Sequence, residues 1–239
     1  AAARAEEPNN TTTPNETIGV TLALPEAAAP YVYRLTDGYV TSRISLKAEE
    51  AFTVSLDAPC GTLVLDWFTA PGSYTVSQKS ASGAALKEDT IADGFVKSVL
   101  ALEANCASVV VTLGAEGAIA EVTAYSAGVN TTPETQAFSP SPSSVDLLII
   151  CAEPGAEFKQ FGAVLPGYTV EKGIKTAVLY VSDYSKRARV DEALAGLVSA
   201  GYAAYPIFGG FSCNNYDSYD MAAEGFNKTT LIKYLKEEI

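Results

Sequence analysis

The stretch IICAEPGAE, residues 149–157, marks the end of a buried strand and the start of an acidic turn. Its apolar half suits a strand, and its Pro-Gly pair is a turn signal. Two more apolar runs follow, at residues 175–181 and 203–208, and a segment of helical period lies between them at 190–200. Strands that alternate with helices predict a parallel sheet of βαβ units over residues 145–239.

The helices of this half carry their own stop signals. A helix is predicted over residues 156–172, where Pro166 must break or restart it. Gly201 is placed as the C-terminal stop of the helical segment at 190–200. A last amphipathic helix is predicted at 229–239. Because a parallel sheet that ends on a helix looks incomplete, we expect the natural polypeptide to continue past Ile239.

The first half of the chain has the pattern of antiparallel β-structure. Its short runs are rich in β-branched and aromatic residues, and turn signals separate them. Residues 17–126 are therefore predicted to form a jelly-roll-like β-sandwich. A polar leader at 1–16 and a Pro/Ser/Thr-rich linker at 127–144 flank it. The predicted strands are residues 52–56, 62–66, 73–77 and 108–113.

Composition excludes several classes of function. The 239-residue chain has a net charge of −12, which argues against binding to nucleic acid or to anionic lipid. No apolar run reaches the length of a membrane span. There is no histidine, so neither a Ser-His-Asp triad nor an HExxH zinc helix can form within the chain. The opening AAARAEE resembles a mature N-terminus after signal cleavage, so we expect a secreted or cell-surface protein.

The four cysteines do not have the spacing of a zinc knuckle. They are Cys60, Cys106, Cys151 and Cys213, and no two form a CxxC motif. One disulfide inside each half, Cys60–Cys106 and Cys151–Cys213, is one possibility in an exported protein. Four buried free thiols are the other.

The second half resembles a known family over about residues 145–212. Its strand is followed by an A-x-P-x-x-E motif at 152–157, then by Phe161-Gly162, a second strand at 178–182, and Arg189-x-x-Glu192 on a helix. This order resembles the LmbE/PIG-L de-N-acetylases, which remove acetyl groups from N-acetylglucosamine-type sugars. The resemblance implies a Rossmann-like α/β domain, and zinc is the cofactor expected in active members.

The metal and base positions of that family are not retained in this sequence. The family motif reads A-H-P/A-D-D-E, in which the His and the second Asp bind zinc and the first Asp is the general base. This chain has Glu153, Gly155 and Ala156 at those three positions and keeps only the final acid, Glu157. Glycine and alanine side chains can neither bind a metal nor accept a proton. We therefore predict a degenerate, metal-free and non-catalytic member, without a cofactor. The alternative is a hard cation such as calcium or magnesium at Glu153, Glu157 and Asp183.

Each of these charged residues also has a simpler interpretation. Glu153 is then an exposed loop acid, and Glu157 a first-turn helix residue favoured by the dipole. Asp183, Arg187 and Arg189 are candidates to meet a sugar or an anion at the sheet edge. They are otherwise solvated surface charges, and Arg189 has a helical partner in Glu192.

The first half resembles the discoidin, or F5/8 type C, jelly roll of the galactose-binding-like superfamily. The residues that carry the resemblance are 35–38 (LTDG), 52–56 and 119–125. Such domains often bind glycans through loops at one end of the sandwich. This makes Tyr31, Tyr33 and Tyr39 candidates for sugar stacking, with ordinary core packing as the alternative. Asp37 is expected either to hold its turn or to bind calcium.

Together these features predict an exported, non-catalytic protein that binds carbohydrate or a cell surface. Its partners would be glycans or cell-wall polysaccharide, and no nucleic acid. One alternative is an active metal-dependent de-N-acetylase with a remodelled site. A second is a structural surface module in which neither half binds a small ligand.

Overall fold

The structure is a computed structural model that describes residues 17–126, 135–212 and 218–238. The predicted leader at 1–16 and the first part of the predicted linker lie outside the described residues. Cys213 and Ile239 also lie outside them. Among the described helices, none has the length and apolar character that a membrane crossing requires.

Two five-stranded antiparallel sheets form the first half. One has the order β1-β10-β5-β8, with β3 also paired to β10, and the other has the order β2-β4-β9-β6-β7. This arrangement confirms the predicted antiparallel sandwich in its coarse form. The strands are β1 (Thr17–Ile18), β2 (Val20–Ala23), β3 (Ile44–Leu46), β4 (Ala51–Leu56), β5 (Cys60–Trp67), β6 (Tyr74–Lys79), β7 (Ala85–Ile91), β8 (Lys97–Ala101), β9 (Ser108–Leu113) and β10 (Gly117–Ser126).

The sandwich core follows from the alternation of side chains along these strands. Strands β6 and β9 bury every second residue, and β4 does so at Phe52 and Val54, as a period of two requires. Trp67 is fully buried, and its indole N–H donates to Ser98 Oγ over 3.2 Å. The Tyr74 hydroxyl donates to the same oxygen over 2.7 Å. The polar atoms of both aromatic rings are therefore satisfied inside an apolar core.

Three parallel strands form the sheet of the second half, in the order β11-β12-β13. The predicted parallel sheet is thus present, whereas the Rossmann-like assignment stays a prediction. Strand β12 is buried along its whole length, because elements cover both of its faces. The elements are β11 (Leu147–Cys151), β12 (Thr176–Ser182), β13 (Ile207–Phe211), α1 (Ala156–Phe161), a π-helix (Leu165–Glu171), α2 (Arg187–Ser199), α3 (Tyr219–Gly225) and α4 (Lys228–Glu238).

The start of the third strand was predicted wrongly, whereas the predicted helix signals at Pro166 and Gly201 are present. The third strand starts at Ile207 instead of residue 203, because Pro206 has no N–H to offer a neighbouring strand. The helix predicted at 156–172 is divided in two, as expected from Pro166, and the second piece starts at the turn that carries this proline. Gly201 does follow the end of α2, with a φ of +80° that suits glycine.

The two halves meet through an aromatic cluster. The ring of Tyr205 stacks on Phe95 with centroids 4.0 Å apart, and its hydroxyl accepts a hydrogen bond from Val96 N over 2.8 Å. Phe138, from the predicted linker, packs edge-on against Tyr205. Ser139 forms a parallel bridge with Ala204. The later part of the linker is therefore anchored to the second half.

The three described cysteines, Cys60, Cys106 and Cys151, are buried free thiols. Burial raises the pKa of each of these thiols. Of the two possibilities left open for Cys60 and Cys106, the structure has the free thiols and not the disulfide. A pairing of Cys151 with Cys213 involves a residue outside the described chain.

Candidate functional site

An open cleft of about 790 Å³ lies where the chain passes from β2 to β3. One wall is a 3₁₀ helix, Ala29–Leu35, which carries a proline in its first turn. Proline is tolerated there because the first N–H groups of a helix lack intrahelical partners. The fully buried Leu35 anchors the helix in the sandwich core. The short helix can therefore present its polar side chains to solvent on a fixed base.

The tyrosines of this region are exposed. Tyr31 is 47% exposed, Tyr33 59% and Tyr39 67%. Tyr31 and Tyr33 line the cleft, whereas Tyr39 lies outside the lining, on the turn that follows the helix. The alternative that these rings pack in the core is therefore wrong. Their binding role stays a prediction.

Asp37 holds the turn beside the cleft. Its Oδ1 accepts a hydrogen bond from the backbone N–H of Tyr39 over 2.9 Å, which is an Asx-type turn. Gly38 takes a φ of +78° within it. The same Tyr39 N–H also donates to Glu121 Oε1 over 3.0 Å. Because Glu121 comes from β10 and is only 7% exposed, the turn is tied to the body of the sandwich.

Burial and a shared hydrogen bond move the pKa values of Glu121 and Asp37 in opposite directions. Burial, and then the hydrogen bond with Asp37, raises the pKa of Glu121 to about 7. Burial also acts to raise the pKa of Asp37. However, hydrogen bonds from the Tyr39 N–H, from Ser42 and from Glu121, together with the charge of Arg34, lower it below its usual range. In mildly acidic solution the pair therefore holds one proton, on Glu121.

The acidic turn after β11 contains the residues for which the sequence suggested a degenerate de-N-acetylase motif. Glu153 is half-buried, and its Oε2 pairs with Arg189 Nη1 over 2.5 Å and with Lys186 Nζ over 3.9 Å. The simple interpretation of Glu153 as an exposed loop acid is wrong, because two cations cover its carboxylate. Arg189 is thus paired with Glu153 and not with Glu192, its predicted helical partner.

The next positions of the motif form the start of α1. Gly155 has a φ of +88°, a left-handed conformation that favours glycine, and Ala156 begins the helix. Glu157 is fully buried in the first turn. Neither of its carboxyl oxygens has a hydrogen-bond partner among the described residues. Burial raises the pKa of Glu157, and its near neighbour Tyr180 does not offset that effect.

Two further candidates at this edge of the sheet serve local structure. Asp183 Oδ1 accepts two hydrogen bonds from Ser185, one from the backbone N–H over 3.0 Å and one from the side-chain hydroxyl over 2.5 Å. Arg187 was predicted to lie at an exposed edge, and this was wrong: it is 1% exposed. Its guanidinium pairs with Asp191 over 2.7 Å and with Asp66 of the sandwich over 3.4 Å. It is buried because α2 packs against the first half.

The candidates of the second half do not converge on one centre. A smaller cleft of about 390 Å³ is lined by Gly155 and Arg189 but not by Asp183 or Arg187. In the part of the chain that the structure describes, no group of three or more His, Cys, Asp or Glu side chains is arranged to hold a metal ion. The cation site at Glu153, Glu157 and Asp183 therefore gains no support.

Sequence reasoning missed the charged residues of the larger cleft. Arg34, Arg43, Lys47 and Glu50 all line it, and none was a candidate. Arg34 directly follows the Tyr-Val-Tyr run in the sequence, and this position beside two candidate sugar-stacking tyrosines could have marked it as a candidate. Glu121 was also missed. An acid in a mostly apolar strand can be recognised as part of a site only when its partner, here Asp37, is known from the fold.

Several solved structures resemble part of the chain. A pectin-binding carbohydrate-binding module is 15% identical, with a TM-score of 0.37, and the match covers 48% of this chain and 94% of that one. The lectin domain of lectinolysin, complexed with Lewis B antigen, is 14% identical with a TM-score of 0.37, covering 46% and 94%. A Streptococcus pneumoniae fucose-binding module is 15% identical with a TM-score of 0.36, covering 45% and 90%.

These three structures are carbohydrate-binding modules and a lectin domain. The assignment of the first half as a β-sandwich does not depend on them, because it rests on the observed strand pairing. No family model matches the chain, and no curated protein matches its sequence. The resemblance of residues 145–212 to the de-N-acetylases therefore stays a prediction.

Proposed function

We propose that this protein binds carbohydrate in the cleft beside the 3₁₀ helix. The observation that carries the proposal is the exposure of Tyr31 and Tyr33 along an open cleft. A sugar ring has apolar C–H faces and a polar rim. An exposed tyrosine offers an apolar face and a polar hydroxyl that match it. A protein that did not use these rings would gain no stability by leaving them in water.

The polar lining of the cleft suits the hydroxyl groups of a sugar. Thr41, Ser42 and Ser45 line it next to the tyrosines and supply hydroxyl donors and acceptors. The turn held by Asp37 and Glu121 lies beside them and is fixed to β10. A site fixed in this way loses less entropy on binding than a loose loop would.

The test compares two matched tyrosines. Tyr31 is 47% exposed with Arg34 over its ring, and Tyr168 of the second half is 45% exposed with Lys172 over its ring. We expect Tyr31→Ala to weaken glycan binding by about tenfold, or ~1.4 kcal/mol, and Tyr168→Ala to leave it unchanged. Binding is measured by glycan array and then by calorimetry on the best oligosaccharide.

For the second half we infer a non-catalytic role, as a degenerate relative of the de-N-acetylases. The ion pairs of Glu153, the left-handed Gly155 and the buried Glu157 support this inference. An active enzyme with a remodelled metal site is the alternative. Elemental mass spectrometry after equilibration with metals separates the two, since one stoichiometric metal per chain would contradict our inference.

A purely structural surface module is the remaining alternative. It predicts a flat titration across a broad glycan panel with the wild-type chain. A location outside the cell or at its surface would suit a carbohydrate-binding protein. This location stays a prediction, as the binding itself does.

A further inference from the structure

We propose that the glycan bound in the tyrosine cleft is anionic and carries a carboxylate or a sulfate group on its sugar. This inference rests on the proposed function and assigns the chemical class of its ligand. It comes from the charges that line the cleft, in a chain whose net charge is −12.

The cleft has three cations and one acid in its lining. The cations are Arg34, Arg43 and Lys47, and the acid is Glu50. Among the described residues, none of the three cations forms a salt bridge. The Oε2 of Glu50 accepts a hydrogen bond from the backbone N–H of Lys47 over 2.8 Å, a neutral donor that leaves the carboxylate charge in place. Asp37, outside the lining, adds a second acid within reach of the charge of Arg34. Three cations against these two acids leave the cleft with a local excess of positive charge.

Aromatic rings hold the two arginines without neutralising them. The guanidinium of Arg34 lies 4.9 Å from the centre of the Tyr31 ring and 6.0 Å from that of Tyr33. The guanidinium of Arg43 lies 3.9 Å from the centre of the Phe68 ring. A guanidinium over an aromatic ring keeps its positive charge, and the ring takes up none of its N–H donors in a salt bridge. Those donors can then bind the two oxygens of a carboxylate or a sulfate side by side.

The charge of the whole chain makes this cationic patch selective. A net charge of −12 repels anions at long range, and salt screens that repulsion beyond about 8 Å at physiological ionic strength. The cations within contact distance of a bound glycan then dominate. Non-specific attraction of polyanions, which afflicts basic proteins, is not expected here.

The test uses the full chain and two matched pairs of oligosaccharides. The first pair is a galacturonate oligosaccharide and the same oligosaccharide with its carboxyl groups methyl-esterified. The second is a sulfated galactan oligosaccharide and its desulfated form. Each pair changes the charge and keeps the sugar backbone. We expect the charged member of at least one pair to bind about tenfold more tightly than its neutral partner, and the pair that shows it identifies carboxylate or sulfate.

Two variants tie the preference to the cleft. Arg43→Gln is expected to remove most of the tenfold difference. Lys172→Gln, which removes a cation stacked on an exposed ring of the second half, should leave it intact. The preference should also shrink near 1 M salt, where screening extends to within about 3 Å. Circular dichroism on each variant checks that the fold is retained.

The outcomes separate this inference from the function beneath it. Equal binding of charged and neutral members, both weakened by Tyr31→Ala, would keep the glycan site and overturn its anionic preference. A preference for the charged members that Arg43→Gln leaves intact would overturn the assignment to this cleft. No binding to any of the four oligosaccharides, nor to the wider array, would overturn both proposals.

Discussion

Replacement of Glu121 by glutamine should remove a pH-dependent loss of stability from the sandwich. Glu121 is 7% exposed and accepts the Tyr39 N–H beside Asp37. A glutamine keeps an oxygen for that N–H and offers an amide N–H to Asp37, as the protonated acid does. The variant Glu121→Gln therefore imitates the protonated state at every pH.

The size of the effect follows from the pKa of Glu121, which rises from an ordinary 4.5 to about 7 on folding. Below pH 4.5 both the folded and the unfolded chain carry the proton, so the group costs nothing. As pH rises toward 7 the unfolded chain loses its proton first, and the folded state becomes less favourable. At about 1.4 kcal/mol for each pKa unit, the loss above pH 7 amounts to about 3 kcal/mol.

Urea unfolding of both proteins between about pH 4 and pH 8, with chelator present, measures this loss. Trp67, the only tryptophan, reports from the sandwich core. We expect equal stability at pH 4 and a variant that is more stable by about 3 kcal/mol at pH 8. Other acids with a raised pKa are present in both proteins. Those far from Glu121 make the same contribution to both free energies of unfolding, so they cancel when the variant is compared with the wild type. A difference that does not change with pH would refute the reasoning.

The same experiment with calcium in place of the chelator tests the other role considered for Asp37. A divalent cation at the carboxyl pair would replace the shared proton and relieve the repulsion between the two groups. The wild-type protein would then regain its stability at pH 8, and Glu121→Gln would not respond. If calcium changes the stability of neither protein, Asp37 holds its turn and does not bind calcium.

Two further predictions concern the contact between the halves. Tyr205→Phe leaves the buried N–H of Val96 without its acceptor, so it should lower the free energy of unfolding by about 1–3 kcal/mol; Tyr168→Phe, at an exposed ring, should change nothing. Arg187→Met leaves two acids without their buried cation, at a cost of about 3–5 kcal/mol near neutral pH. Because burial raises the pKa of Asp191 to about 6, that loss should shrink in more acidic solution. Urea unfolding followed by circular dichroism measures both, and a pH-independent loss would contradict the second.

Part of the strand pattern of each half could be predicted, because those strands show clear local periodicity. Alternation of apolar and polar residues placed the β4, β6 and β9 segments, and unbroken apolar runs placed β11 and β12. The boundaries that failed lie where one residue competes with a pattern. Pro206 lies inside an apolar run, yet its missing N–H moves the strand to Ile207.

The site was harder to predict because its members are close only in three dimensions. Tyr31, Tyr33 and Asp37 lie close together in the sequence and could be singled out. Glu121 meets Asp37 across 84 positions of the chain, and no local pattern connects them. The same reason explains the error at Arg187, whose partner Asp66 belongs to the other half.

The sequence by itself determined the antiparallel sandwich, the parallel sheet and the absence of histidine chemistry, since these depend on composition and on short-range periodicity. Only the tertiary structure decided which tyrosines face water, which cations share their cleft and which arginine is buried between the halves. Exposure and charge pairing depend on what the rest of the chain packs against each residue. That information is spread over the whole fold and is not contained in any one stretch.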